Sequence, residues 1–221
     1  MKSNKKELLS KIDYAILKAT TTAEEVLKGA DATREYGFAT LCVFPKFIKV
    51  ARTLLPQEKV CTVVGFPLSP SPLEVKLAEL YRCCEDGAGE IDVVVDLGAV
   101  KSGDWESVER ELKELREAAP DRVLKLIIEC CYLSDEEKRT VCMLAAENGW
   151  DFVKTSTGYG TYGATPCDVE LLSECTGGLL KVKAAGGIKS LEQVEKFLKA
   201  GADRIGTSSA IEIAKELLFS R

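Results

Sequence analysis

Histidine is absent from this 221-residue chain. Without it there is no Ser–His or Cys–His nucleophile pair, no imidazole proton shuttle near neutral pH and no His-ligated metal. A basic excess is missing too. The 30 Lys and Arg against 35 Asp and Glu leave a net charge of −5 at pH 7. Nucleic acid would meet no broad positive field, and any anionic ligand must be held by local groups. No apolar run is long enough to span a bilayer, and no apolar signal core follows the basic start Met1-Lys2-Ser3-Asn4-Lys5-Lys6. A cytoplasmic protein without membrane partners is expected.

Cysteine is plentiful but carries no disulfide or metal pattern. The nine cysteines are odd in number, and Cys42, Cys61 and Cys142 lie inside apolar runs. Cys83-Cys84 and Cys130-Cys131 are adjacent pairs rather than CxxC motifs, so free thiols and no zinc site are expected. Chemistry must then rest on Lys, Asp, Glu, Cys, Tyr and backbone dipoles.

Short apolar runs alternate with amphipathic segments along the whole chain. Strands are predicted over 11–17, 38–44, 59–65, 90–96 and 122–129, then a short one ending at Lys154, then over 179–184 and 203–206. Capping signals open the helices between them: Thr22 with Glu25, Asp104, Ser134 with Glu137, Thr165-Pro166, Ser190 with Gln193, and Ser208 or Ser209. Gly37, Gly87, Gly149 and Gly201 recur just before strands two, four, six and eight, a weak internal repeat of paired βα units. After a short N-terminal helix, eight such units form a single parallel (β/α)8 TIM barrel over residues 1–221. An open doubly wound sheet fits less well, because no GxGxxG follows the first strand.

The stretch Phe152-Val153-Lys154-Thr155-Ser156-Thr157-Gly158 places a lysine at the end of an apolar strand, where burying its charge is costly. A second lysine, Lys183, stands at the end of the next predicted strand, before Gly186-Gly187. Asp92 lies within the otherwise apolar run Glu90 to Asp96. One reading is a satisfied ion network. The other is nucleophilic: a lysine attacks a carbonyl only when neutral, its ordinary pKa is about 10.4, and burial with a second ammonium favours the neutral form. Lys181 shares the parity of Lys183 but lies deeper, and is the weaker candidate. Gly186-Gly187 and Gly206-Thr207-Ser208-Ser209 follow strands seven and eight, where barrels of this kind bind phosphate.

These residues resemble the 2-deoxyribose-5-phosphate aldolases, class I Schiff-base enzymes on a β/α barrel. The match rests on Val63-Val64-Gly65-Phe66-Pro67-Leu68, Glu90-Ile91-Asp92, Lys101-Ser102-Gly103-Asp104, the Lys154 and Lys183 stretches, and Ile205-Gly206-Thr207-Ser208-Ser209. The resemblance implies that Lys154 forms the imine, that Lys183 lowers its pKa, and that Asp92 shuttles protons. It implies that Asp13, Gly158, Gly186, Gly187, Gly206, Ser208 and Ser209 line the substrate and phosphate site. The reaction it implies is reversible cleavage of a small phosphorylated sugar, 2-deoxyribose 5-phosphate, to glyceraldehyde 3-phosphate and acetaldehyde. No metal or organic cofactor is implied, and a homo-oligomer, dimer or tetramer, is compatible with it.

Some positions depart from the pattern. Ala15 stands where many members have threonine, Ala19 where they have proline, Cys130-Cys131 where they have Thr-Gly, and Asp96 where asparagine is common. The sequence ends at Ser220-Arg221, where some members continue to a tyrosine that helps proton transfer. Three alternatives stay open: an aldolase of this type with another acceptor, a lysine-independent sugar-phosphate isomerase, and a non-catalytic binding barrel.

Overall fold

The computed structural model describes residues 2–219; Met1, Ser220 and Arg221 lie outside the described residues, and with them the chain end compared above with the tyrosine-bearing tail. A short helix, α1 (Lys2–Leu9), precedes eight strands. These are β1 (Ile12–Ile16), β2 (Thr40–Val43), β3 (Val60–Val64), β4 (Glu90–Val94), β5 (Val123–Ile127), β6 (Phe152–Lys154), β7 (Lys181–Ala185) and β8 (Arg204–Thr207). Each pairs in parallel with the next, and β8 returns to β1. The closed (β/α)8 barrel is present, and the open doubly wound sheet is excluded because no strand is left as an edge.

The crossovers carry α2 (Ala23–Tyr36), α3 (Ile48–Arg52), α4 (Leu73–Asp86), α5 (Leu97–Ser102), α6 (Trp105–Ala118), α7 (Asp135–Glu147), α8 (Pro166–Thr176) and α9 (Leu191–Lys199), and α10 (Ala210–Phe219) follows β8. Their starts obey local chemistry. Thr22, Ser134 and Ser190 form reciprocal capping boxes with Glu25, Glu137 and Gln193, and Asp104 and Thr165 cap α6 and α8. Gly37, Gly87, Gly149 and Gly201 end helices at φ of 73°, 96°, 70° and 108°, a region in which a side chain clashes.

Strand alternation splits the molecule into two interiors. Ile12, Leu41, Ile91, Val93, Leu124, Leu126, Val153, Val182 and Ile205 face outward and join the apolar layer beneath the helices. The residues between them face into the barrel, and many are polar: Asp13, Thr40, Glu90, Asp92, Lys125, Lys154 and Lys183 are all buried. Phe152 lies low in the barrel, with Arg204 stacked 5.4 Å from its ring centre.

Two expectations are corrected. Strand seven was expected to stop at Ala184 just after Lys183, but the pairs Ala184↔Ile205 and Ala185↔Gly206 extend it, so Lys183 sits mid-strand. It still reaches the level of Lys154 because the register pairs the two directly. Asp96 was assigned to strand four; instead it leaves the strand and caps α5 by accepting from the Ala99 N–H at 3.0 Å.

A buried ion pair outside the barrel pins the end of β4. Lys76 Nζ donates to the Val94 carbonyl at 3.0 Å and to Glu111 Oε2 at 2.8 Å, while Glu111 Oε1 accepts from the Asp96 N–H at 3.0 Å. Removing one partner leaves a buried charge alone, so Glu111→Leu should cost about 3–5 kcal/mol in denaturant unfolding. The double variant Lys76→Met/Glu111→Leu should recover most of that loss. A double variant no more stable than Glu111→Leu would contradict this account.

Candidate active site

One carboxylate organises the barrel interior. Asp92 Oδ2 accepts from Lys154 Nζ and from Lys183 Nζ, each at 2.7 Å. Its Oδ1 accepts from Lys125 Nζ at 2.9 Å and from the Cys61 thiol at 3.2 Å. Below it, Asp13 Oδ2 lies 2.6 Å from Lys183 Nζ, and its Oδ1 accepts from Thr40 Oγ1 and Arg204, both at 2.7 Å. Glu90 completes the set, 2.7 Å from Lys125 and 3.2 Å from Arg204.

The electrostatics follow from this wiring. Burial alone would raise the Asp92 pKa, but Lys125, Lys154 and Lys183 outweigh it and hold the carboxyl well below the usual range. Asp13 is lowered in the same way, burial being overcome by Lys183, Lys125 and Arg204. Burial would lower Lys183, yet Asp13 and Asp92 prevail and hold it protonated above its ordinary value. Four cations, Lys125, Lys154, Lys183 and Arg204, meet three carboxylates, Asp13, Glu90 and Asp92. The cluster therefore holds one positive charge in excess. Among the described residues Lys154 pairs with Asp92 alone, whereas Lys183 also pairs with Asp13, and Lys125 with Asp13 and Glu90. Of the four cations, Lys154 takes part in the fewest ion pairs.

Above the cluster opens a cavity of about 700 Å³, lined by Lys154 and Lys183 together with Gly158, Gly186, Gly187, Gly206, Ser208 and Ser209. Those expected residues come together. Asp13 does not line it: its carboxylate is fully buried beneath Lys183, because Arg204 and Thr40 hold it down in the barrel. Gly186 and Gly187, at φ of 91° and 78°, turn the chain tightly after β7. Gly206 has a steric role: a Cβ there would lie 3.1 Å from the Lys183 side chain. Thr207 ties the two turns by donating to the Ile188 carbonyl at 2.6 Å. The helix after β8 starts at the cavity, with Ile211 and Glu212 in its wall, but α9 starts only at Leu191, beyond the lining residue Lys189. Lys181, the weaker candidate, is exposed at the start of β7, its ammonium 5.6 Å from the Phe152 ring centre.

The model of the DeoC/LacD family of aldolases matches residues 4–213. The chain belongs to that family. Deoxyribose-phosphate aldolase of Thermococcus kodakarensis is 46% identical over 218 residues, covering 96% of this chain and 97% of the relative. The enzyme of the same name from Clostridioides difficile is 44% identical over 211 residues, covering 95% and 96%. Among solved structures, an aldolase designated QR15 superposes with a TM-score of 0.92 at 41% identity, covering 96% of each chain. The deoxyribose phosphate aldolase of Aeropyrum pernix, described as having a unique tetrameric structure, gives 0.90 at 35% identity and covers 97% of this chain and 92% of its own.

Among the described residues that depart from the aldolase pattern, Ala15 lines the cavity, and Ala19, Asp96, Cys130 and Cys131 do not. Sequence reasoning missed Lys125, Glu90, Arg204, Cys42 and Cys61 as members of this aldolase site. Lys125 sits in Val123-Leu124-Lys125-Leu126-Ile127, the same lysine-in-apolar-strand signal that singled out Lys154. The direct pairing of Cys42 with Cys61 had no sequence signal, because it depends on strand register.

The depressed carboxyl groups make stability depend on pH. A folded-state pKa below the unfolded value of about 3.9 contributes stability that is complete above about pH 5 and lost as pH falls through the folded value. Asp13→Asn should therefore lower the unfolding free energy at neutral pH and flatten its fall on acidification. Denaturant unfolding measured from neutral to acidic pH checks this; equal slopes for both proteins would contradict it.

Proposed function

We propose that this aldolase reversibly cleaves 2-deoxy-D-ribose 5-phosphate to D-glyceraldehyde 3-phosphate and acetaldehyde through an imine on Lys154. One observation carries the assignment: Lys154 Nζ lies at the cavity floor on a carboxylate oxygen that it shares with a second ammonium, Lys183. The names of the relatives supply the substrate.

The steps use residues already in contact. Neutral Lys154 attacks the aldehyde carbon of the open-chain sugar, and loss of water from the carbinolamine gives an iminium ion. The C3 hydroxyl loses its proton, the C2–C3 bond breaks, and its electron pair passes to the iminium as an enamine. Protonation at C2 and hydrolysis then release acetaldehyde and free Lys154. Asp92 moves protons between these steps. It is poorly basic while three ammonium groups surround it, and gains basicity once Lys154 is neutral. Lys183 stays charged beside it and stabilises the developing negative charge.

The sugar phosphate would place its anion at the turns after β7 and β8, where Gly186, Gly187, Ser208 and the start of α10 meet Lys189. In this scheme Asp13 positions Lys183 rather than touching substrate. The same proposal takes residues 1–221 as one barrel domain without metal or organic cofactor. It places the enzyme in the cytoplasm as a dimer or tetramer, with no membrane or nucleic-acid partner.

Lys154→Arg should abolish both cleavage and borohydride-trapped mass gain with acetaldehyde, since a guanidinium stays protonated. A trapped adduct on any other lysine would overturn the assignment. Ser208→Asp sets a carboxylate at the anion turn. It should weaken phosphorylated substrate about a hundredfold, the worth of two charge-assisted hydrogen bonds, while acetaldehyde trapping persists. Unchanged KM would place the phosphate elsewhere.

A further inference from the structure

The cavity occupies only one side of the barrel mouth. Its walls come from β1, α2 and the segments after β6, β7 and β8, and among the described residues Cys42 is the sole contribution from β2 to β5. The divider is Tyr159. Its hydroxyl donates to the Leu17 carbonyl at 2.6 Å, joining the loop after β6 to the loop after β1. Its ring meets Phe66 edge-on at 5.6 Å and 88°, and Phe66 meets Phe44 at 6.1 Å and 67°. Those two aromatics follow β3 and β2, so the far side of the mouth is filled by rings.

A half-exposed tyrosine can simply satisfy a nearby carbonyl. Here the residue is held at both ends. Glu129 ends the β5 run in a left-handed backbone conformation, φ 48°, which is costly for a residue with a side chain. From there its carboxylate accepts from the Thr157 N–H at 3.2 Å and from the Thr157 hydroxyl. Thr157 Oγ1 in turn accepts from the Tyr159 N–H at 3.0 Å. Gly160 presses on the same support, since a Cβ there would lie 2.5 Å from the Cys131 sulfur. A chain of contacts from a strained residue thus fixes the backbone that carries the ring, which lines the same cavity as Lys154.

From this we infer that Tyr159 is a specificity-determining residue that limits the donor aldehyde to two carbons. The inference rests on the aldolase reading given above. With its first carbon on Lys154 and its phosphate at the β7 and β8 turns, the substrate spans the arc that the cavity occupies. A substituent on the enamine carbon has to turn away from that arc, toward the wall that Tyr159 forms. Bond making is otherwise unchanged: the enamine carbon attacks the acceptor carbonyl, whose oxygen takes up a proton, and water hydrolyses the iminium.

The test compares acetaldehyde with propanal as donors for addition to glyceraldehyde 3-phosphate, in wild type, Tyr159→Phe and Tyr159→Ala. Tyr159→Ala should raise the propanal-to-acetaldehyde ratio of kcat/KM about tenfold or more, the worth of one accommodated methylene. Tyr159→Phe keeps the ring and loses only the tie to Leu17, so its ratio should rise less. Equal ratios in all three proteins overturn the inference, because a merely structural tyrosine would alter both donors alike. If Tyr159→Ala does not fold, Tyr159→Leu removes the ring plane while keeping apolar packing, and the same ratio decides. Borohydride trapping of wild type with acetaldehyde separates the two levels. An adduct with equal ratios defeats the role of Tyr159 alone; no adduct defeats the aldolase reading and this inference together.

Discussion

The barrel interior depends on the Asp92 carboxylate, which receives three ammonium groups and a thiol. Most barrels of this fold fill the centre with branched apolar side chains. Here charge takes that place, and burial makes the arrangement demanding. A buried ion without partners is strongly unfavourable, so each lysine needs its carboxylate and each carboxylate its lysine. The apolar layer under the helices carries the packing, and the barrel interior is held by ion pairs.

An odd charge distinguishes Lys154 from its neighbours. With four cations on three carboxylates, one ammonium is the least supported, and Lys154 is the one bound to a single carboxylate. Lys125 and Lys183 are each held by more than one, and both are pushed above the ordinary lysine value by those carboxylates against the effect of burial. The same fold thus holds two lysines by more than one carboxylate each and a third by a single carboxylate. Differences in ion-pair number, rather than in residue type, set the three lysines apart.

The mouth obeys a second constraint. Glycine and hydroxyl turns after β7 and β8 leave backbone room for an anion, while aromatic rings after β2, β3 and β6 close the opposite side. The cavity is therefore polarised, with glycine and hydroxyl turns at one end, Lys154 in its lining and a ring wall. Ala15 contributes only a methyl to the lining of that cavity.

The chain by itself determined the eight-unit barrel, the helix starts and the pair Lys154 and Asp92, because each rests on local patterns. Capping boxes, alternation and a lysine in an apolar strand are readable within a few residues. Lys125 carries that last signal too, but no glycine-rich turn follows it. Only the tertiary structure decided that Asp13 lies beneath Lys183 rather than in the substrate cavity, and that Lys183 meets Lys154 from mid-strand. The Tyr159 bridge to Leu17 likewise joins residues far apart in the chain. Strand register and barrel closure set those contacts, and both are properties of the assembled sheet rather than of any one stretch of sequence.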